Sequence, residues 1–248
     1  MTLTSSAQHE ITSDTMRVNI LGQQKGLLQL NIKGLEIDDL GYLWAGTEDG
    51  LHRYNGYNFK AYSHSRSDTT SIKDDHIRHL LYTKDTLWIA TNTKGINGFV
   101  PSENSFFSLN LNEENTDLNA AYRCIELDKN YLLFSARNHF VIFNRKEKTH
   151  QIIKLKTLEK ENSVNGAIKI NENDVLLATN NGILNFNLKN QSLTADLQYP
   201  TKNFNQLIGL HNFQIFGNYD GITIYDVDLK TSKHIVLNEK VKVLLSVN

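Results

Sequence analysis

A five-residue pattern recurs along the chain and limits the fold more than any other feature of the sequence. It reads LWAGT at residues 43–47 and LWIAT at residues 87–91. Weaker copies follow at residues 132–136, 175–179 and 214–218, so that successive copies start 39 to 45 residues apart. Repeats of this length are typical of blades, the four-stranded antiparallel units of a β-propeller.

Each copy has the same order of strand-like and turn-like segments. In the second copy, residues 77–82 form an apolar run, a short polar turn follows, and the tryptophan segment ends in a glycine turn at residues 93–95. Glycine and asparagine adopt the positive φ angles of tight hairpins, and the chain has 29 Asn but only 2 Pro. No segment sustains the apolar period of a helix. The sequence therefore predicts an all-β fold, with the tryptophan segment as the second strand of each blade.

Composition excludes several classes of protein and site. With 26 basic and 27 acidic residues, the net charge of −1 argues against a broad nucleic-acid surface or a polybasic membrane patch. The single cysteine, Cys124, excludes a disulfide within the chain and a cysteine-based zinc site. No apolar run approaches the 18 residues of a membrane-spanning helix. We predict no metal and no cofactor.

The first copy extends into a longer motif. Residues 38–56 read DDLGYLWAGTEDGLHRYNG. This segment resembles the two-component regulator propeller repeat, D-x-x-G-x-L-W-x-G-T-x-x-G-L-x-R-Y-D-G, and departs from it only at Asn55, where Asp is common. The five copies together cover about residues 31–240. The resemblance implies a β-propeller, here about five four-stranded blades plus the start of a sixth, in a truncated ring.

The resemblance also assigns the two ends of the chain. Residues 1–15 are polar and are expected to lie outside the fold, while residues 16–248 are the N-terminal part of a larger sensor domain. Residues 16–20 would supply the outermost strand of the last blade, and residues 241–247 the innermost strand of a sixth. Because these strands would lack partners, we expect the chain to self-associate.

In function, the resemblance implies a non-catalytic, ligand-sensing input domain of a bacterial signal-transduction receptor. Such regions lie in the periplasm, ahead of a transmembrane segment and a histidine kinase or diguanylate cyclase, and the ligands of kinase-linked members are often oligosaccharides. A small anionic ligand or an oligosaccharide is the expected partner. The alternatives are a lyase or hydrolase acting at the central channel and a protein-interaction scaffold, because fold alone does not choose among them.

Few residues have the spacing of catalytic groups. His76 and His79 lie three apart on a predicted strand, which places them on opposite faces and argues against a metal site. Cys124 lies within a strand and is expected to be a buried structural thiol. Trp44 and Trp88 are expected to be structural core residues that fill the space between blades.

One pattern indicates a ligand site. When the first strands of the blades are aligned, basic residues fall at one level of the central channel. They are Lys33, Arg78, Arg123 and Lys242, with Gly166 and Gln206 in the remaining blades. The turns after the tryptophan-type strands bring Asn92, Asn138 and Asn180 to the same face. Together these residues are a candidate site for an anion or a sugar, because asparagine both donates and accepts hydrogen bonds. The alternative is that they are solvated side chains at the mouth of the channel.

Overall fold

The computed structural model describes residues 20–111, 118–155, 161–195, 204–210, 213–218, 221–226 and 231–236. Its strands are β1 (Gly34–Ile37), β2 (Leu43–Thr47), β3 (Gly50–Tyr54), β4 (Phe59–Tyr62), β5 (Ile77–Thr83), β6 (Thr86–Thr91), β7 (Ile96–Val100), β8 (Ser105–Ser108), β9 (Ala121–Glu126), β10 (Tyr131–Ala136), β11 (His139–Asn144), β12 (Thr149–Lys154), β13 (Val164–Lys169), β14 (Asp174–Thr179), β15 (Gly182–Asn187), β16 (Leu193–Ala195), β17 (Phe204–Leu210), β18 (Phe213–Asn218), β19 (Gly221–Asp226) and β20 (Thr231–Val236). One turn of 3₁₀ helix lies at Gln23–Lys25.

The strands form five antiparallel sheets of four consecutive strands each, numbered here sheet 1 (β1–β4) to sheet 5 (β17–β20). Every strand pairs with the next one in sequence, as in a meander. The tryptophan-type segments are β2, β6, β10, β14 and β18, the second strand of each sheet. The predicted all-β class and strand order are confirmed for the described part of the chain.

The five sheets follow one another in a propeller-like arrangement. The first strands of successive sheets contact each other, β1 with β5, β5 with β9, β9 with β13 and β13 with β17. The second strand of a sheet also contacts the first strand of the next sheet. The first strands are therefore the inner strands. The expected leader, the closing strand at residues 16–19 and the sixth-blade strand at residues 241–247 lie outside the described residues.

Large apolar side chains fill the space between sheets. Trp44 packs on Phe99 between sheets 1 and 2, with ring centroids 5.1 Å apart. Trp88 packs on Phe134 between sheets 2 and 3 at 5.3 Å. A cluster that includes Phe186 continues between sheets 3 and 4. The predicted core role of both tryptophans is confirmed, since Trp44 is fully buried and Trp88 is 6% exposed.

Asp38 explains the acidic start of the longer motif. One carboxylate oxygen, Oδ1, accepts the backbone N–H groups of Leu40 and Tyr42 at 3.0 and 2.9 Å. The other, Oδ2, accepts the indole N–H of Trp44 at 2.8 Å. In sheet 2 the matching position is Thr83, and the indole of Trp88 forms no hydrogen bond within the described residues. The acid therefore fixes the turn and the tryptophan together in sheet 1 alone.

We expect Trp44→Phe to cost about 1–3 kcal/mol more unfolding free energy than Trp88→Phe. Both changes remove similar ring area, but only the first leaves a buried oxygen of Asp38 without its donor. Urea unfolding measures the difference, with an unchanged denaturant slope as the control for two-state behaviour. An equal or larger loss in Trp88→Phe would contradict the role given to Asp38.

Candidate functional site

The first strands of sheets 2 to 4 have an extra residue near their start, a β-bulge that leaves one residue unpaired with the second strand. The bulged residues are Arg78, Tyr122 and Asn165. In sheet 1, Lys33 holds the same place directly before β1, and its N–H donates to Gly46 O at 2.9 Å. We call these four the rim residues. Bulges re-aim side chains, and here they turn one side chain per sheet toward the turn that follows the second strand.

The bulges correct the alignment expected for the basic residues. Arg123 pairs with Ser135, whereas the residue that pairs at the matching place in sheet 2 is His79. Arg123 therefore lies one position beyond the level of Lys33 and Arg78, and the expectation of a common level was wrong. Gly166 and the backbone of Gln206 also lie at this second level. Lys242 is outside the described residues.

Each rim residue contacts the turn after the second strand of its own sheet. In three sheets the contact is direct. These pairs are Lys33–Glu48 (Nζ to Oε1, 2.9 Å), Arg78–Asn92 (Nε to Oδ1, 2.8 Å) and Asn165–Asn180 (Nδ2 to Oδ1, 2.7 Å). The same geometry thus holds a salt bridge, a charged hydrogen bond and a neutral amide pair in successive sheets. These rim pairs fix the end of the sheets at which the inner strands begin, which we call the mouth.

In sheet 3 the rim contact passes through a residue of the following linker. The hydroxyl of Tyr122 donates to the carboxylate of Glu161, and Arg137 Nε lies 3.4 Å from the other oxygen of that carboxylate. The guanidinium of Arg78 lies over the Tyr122 ring, 4.9 Å from its centroid. Burial, with the hydrogen bond to Glu161, raises the pKa of Tyr122. The rim network therefore connects sheets 2, 3 and 4.

The rim is less electropositive than its sequence indicates. The salt bridge to Glu48 neutralises Lys33, and the hydrogen bond and charge of that lysine lower the pKa of the Glu48 carboxyl. Arg78 keeps its charge, but its donors face Asn92 and its plane covers Tyr122. Neither cation is a free charge at the mouth.

The three asparagines named from the sequence do not share one role. Asn92 and Asn180 bond to rim residues, as described. Asn138 is the second residue of its turn, with a left-handed φ of 57°, and its Oδ1 accepts the backbone N–H of Asn162 at 2.9 Å. The sheet 3 residue at the level of Asn92 is Arg137. The alignment of the first strands missed Tyr122, Arg137 and Glu161. A signal that could have found Arg137 is its position directly after the second strand, where the hairpin to the third strand begins.

The second level of the inner strands carries Arg123 and His79. Arg123 is partly buried and forms no hydrogen bond or ion pair within the described residues. Burial lowers the pKa of its guanidinium. Burial, and then the positive charge of Arg123, lower the pKa of His79 to about 4. The neutral imidazole accepts the backbone N–H of Cys124 at Nδ1, 3.5 Å away.

Cys124, on the inner strand β9, is shielded from solvent. Cys124 is 1% exposed, and burial and the nearby charge of Glu36 raise the pKa of its thiol. The expected structural thiol is thus confirmed as buried.

In the described ranges no group of three His, Cys, Asp or Glu side chains is placed to hold a metal ion. No helix in those ranges is long and apolar enough to cross a membrane.

Comparison with known proteins finds one short sequence match and several solved structures of similar fold. No family model matches the chain. Over 47 residues, 19% of the chain, it is 45% identical to a histidine kinase P4 of Formosa agariphila, of which it covers 3%. A structure described as the extracellular domain of the hybrid two-component system BT3049 from B. thetaiotaomicron matches 87% of the chain with a TM-score of 0.73 and 18% identity. The resemblance to two-component sensor propellers is confirmed.

Two further solved structures show the same fold at lower similarity. The extracellular domain described as that of the hybrid system BT4673 from the same organism matches 85% of the chain, with a TM-score of 0.57 and 14% identity. The WD40 repeats of RRP9 match 82%, with a TM-score of 0.54 and 10% identity. The chain spans about a third of the two bacterial domains, 31% and 35%. It is therefore similar to a portion of each of them.

His79 makes stability depend on pH. Its pKa is about 4 in the folded chain against an ordinary 6.5, so between these values only the unfolded chain binds the proton. The contribution of His79 to stability therefore falls as pH falls through this window, by about 2 kcal/mol from pH 6.5 to 5. We expect His79→Gln to remove this fall, so that urea unfolding shows the variant gaining on the wild type at pH 5.

Glu36 provides the opposite control. Burial raises its pKa to about 7 from 4.5, so between these values the folded chain holds the proton that the unfolded chain has lost. Its contribution to stability is present below pH 4.5 and is lost as pH rises through 7. Glu36→Gln should therefore shift the pH slope in the direction opposite to His79→Gln. Equal slopes in both variants and the wild type would refute the pKa assignments.

Proposed function

We propose that this chain is part of the ligand-sensing region of a bacterial two-component receptor, located in the periplasm, and that it performs no chemistry itself. The observation that carries the proposal is the shared fold, which extends over 87% of the chain with an extracellular domain of a two-component system. The local sequence match to a histidine kinase supports the same class. A propeller domain in a receptor with a histidine kinase would sense the signal that controls the kinase.

The ligand site that we propose lies at the mouth of the inner strands and is centred on Arg123. This guanidinium is the charge at the mouth that the described residues leave without a partner, whereas Lys33 and Arg78 are engaged. A partly buried cation attracts an anion more strongly than a fully hydrated one. The expected ligand is a small anion or an acidic sugar. The bonded rim network would hold the site in place before the ligand arrives.

The state of the candidate nucleophile and base supports a non-catalytic role. A thiol acts as a nucleophile only as thiolate, and burial keeps Cys124 protonated. His79 is neutral at pH 7, but its Nδ1 accepts the backbone N–H of Cys124 instead of facing a side-chain nucleophile. A lyase or hydrolase needs an acid or base that reaches its substrate. The mouth instead has the character of a binding surface.

We also propose that further blades of the receptor cover the open face of sheet 1. A Cβ added at Gly34 would lie 2.9 Å from the backbone N of Leu80, so this residue faces sheet 2. The alternate residues Leu35 and Ile37 face away from it and are 57% and 63% exposed. Such a face is typical of a sheet that stacks on another sheet.

This open face predicts self-association of the isolated chain. Leu35→Ser combined with Ile37→Ser should reduce the association, since it removes two apolar side chains from the exposed face. Light scattering on a concentration series after size-exclusion chromatography measures the mass. Tyr57→Ser is the matched control, because Tyr57 is 76% exposed in the β3–β4 turn. A chain that is monomeric throughout the series would refute the prediction.

The ligand site is tested in the full-length receptor. Arg123→Ala should raise the stimulus concentration for half-maximal output about tenfold, and Arg123→Lys should restore part of the response. The control is Lys189→Ala, which removes a charge from the β15–β16 turn at the opposite end of the strands from the mouth and should leave output near the wild-type level. If Arg123→Ala and the double variant Arg78→Ala with Arg123→Ala both respond as wild type, the ligand site lies elsewhere.

A further inference from the structure

A large groove lies between sheets 2 and 3, at the opposite end of β5 from the rim. It has a volume of about 830 Å³ and is bordered by the turn between β5 and β6 and the turn between β11 and β12. Five apolar side chains line its floor: Trp88, Val100, Phe107, Leu109 and Phe143. Five cations stand around it: Lys84, Lys129, Arg145, Lys146 and Lys148. The volume lies in the range of small-molecule sites.

Gly98 distinguishes the floor of the groove from the corresponding place in sheet 1. In sheet 1 the residue paired with Trp44 is Arg53, whose guanidinium lies over that indole, 5.7 Å from the ring centroid. In sheet 2 the residue paired with Trp88 is Gly98. A Cβ at Gly98 would lie 2.1 Å from the ring of Phe107, so the phenyl ring rests directly on the backbone. The ring of Phe107, and not a side chain at position 98, lies against Trp88 here.

The floor of the groove presents the exposed ring of Phe107 beside Trp88. Phe107 is 38% exposed and meets Trp88 edge to face, with centroids 5.6 Å apart. The indole N–H of Trp88 forms no hydrogen bond within the described residues, in contrast to Trp44, which donates to Asp38. A flat apolar ring can therefore pack on the exposed part of Phe107, next to Trp88, which is 6% exposed.

The charge around the groove is unbalanced. Arg145 is paired with Glu126 at 2.7 Å and is not free. Lys129, Lys146 and Lys148 are exposed, and none of them has an ion-pair partner in the described part of the chain. The lining contains one acidic residue, Asp85. Lys146 and Lys148 alternate with Glu147, which lines a different depression on the far side of the turn.

We propose that this groove binds a ring-shaped organic anion, whose flat apolar face packs on Phe107 beside the edge of Trp88 and whose carboxylate or sulfate faces Lys146 and Lys148. The chemistry that recognises it is an aromatic floor beside clustered cations, which suits an acid with an apolar face and disfavours a neutral or cationic ring. This site is separate from the mouth of the inner strands and does not depend on the proposed sensing function.

Calorimetric titration of the whole chain tests the groove with defined probes. Naphthalenesulfonate represents an aromatic acid and a glucuronate disaccharide represents an acidic sugar, so that the two arms distinguish the source of the anion. Naphthalenemethanol, a neutral analogue, measures the contribution of the ring alone. We expect at least one of the two acids to bind. If it is naphthalenesulfonate, its affinity should be roughly tenfold higher than that of naphthalenemethanol.

Variants locate the binding in the groove. Lys146→Ala combined with Lys148→Ala should weaken binding of the acid roughly tenfold, because two lysine charges beside the groove are lost. Lys189→Ala is the matched control, since Lys189 holds the same turn position in sheet 4, where its N–H bonds to an asparagine as that of Lys146 does. It should bind as wild type. Phe107→Ala should also weaken binding, with thermal melting to verify that the variant is folded.

The outcomes separate cleanly. Weaker binding in the paired lysine variant and in Phe107→Ala, with Lys189→Ala unchanged, supports the site. The proposal is overturned if neither acid binds, if the neutral ring binds as tightly as naphthalenesulfonate, or if Lys189→Ala weakens binding as much as the paired variant. Because every probe uses the isolated chain, failure here leaves the sensing proposal untouched.

Discussion

The structure depends on the packing of each sheet against the next. A four-stranded meander has two faces and cannot bury either of them alone, so stability requires that successive sheets stack. Trp44 and Trp88 meet this requirement by reaching from the second strand of one sheet into the next sheet. Inner strands then contact each other in chain order. Both the mouth and the groove are consequences of that stacking.

The two ends of the inner strands differ in how they use charge. At the mouth, the bulges direct charged and polar side chains into pairs with the neighbouring turns, so Lys33 and Arg78 mainly fix the structure. At the groove, the ammonium groups of Lys146 and Lys148 have no ion-pair partner among the described residues and stand beside an apolar floor. Charges in closed pairs contribute little to ligand binding, while unpaired ones close to apolar surface contribute more. Residue type alone did not distinguish these two situations.

The first and second repeats differ in the residues that surround their tryptophans. The first repeat keeps Asp38 and Arg53, and both contact Trp44, which is fully buried. In the second repeat Thr83 and Gly98 replace them. The contacts that Asp38 and Arg53 make to Trp44 have no counterpart at Trp88, while the sheet retains its pairing. The proposed groove lies at this departure from the motif.

The sequence by itself determined the five sheets and the place of the tryptophan segment in each sheet, because hairpin turns and strand spacing are local properties of the chain. It did not determine the level of Arg123 or the partner of Lys33. A β-bulge shifts register by one residue, and the hydrophobic pattern of a strand buried on both faces does not record that shift. Only the tertiary structure decided which charges were paired, because each pair joins residues that hydrogen bonding between strands brings together.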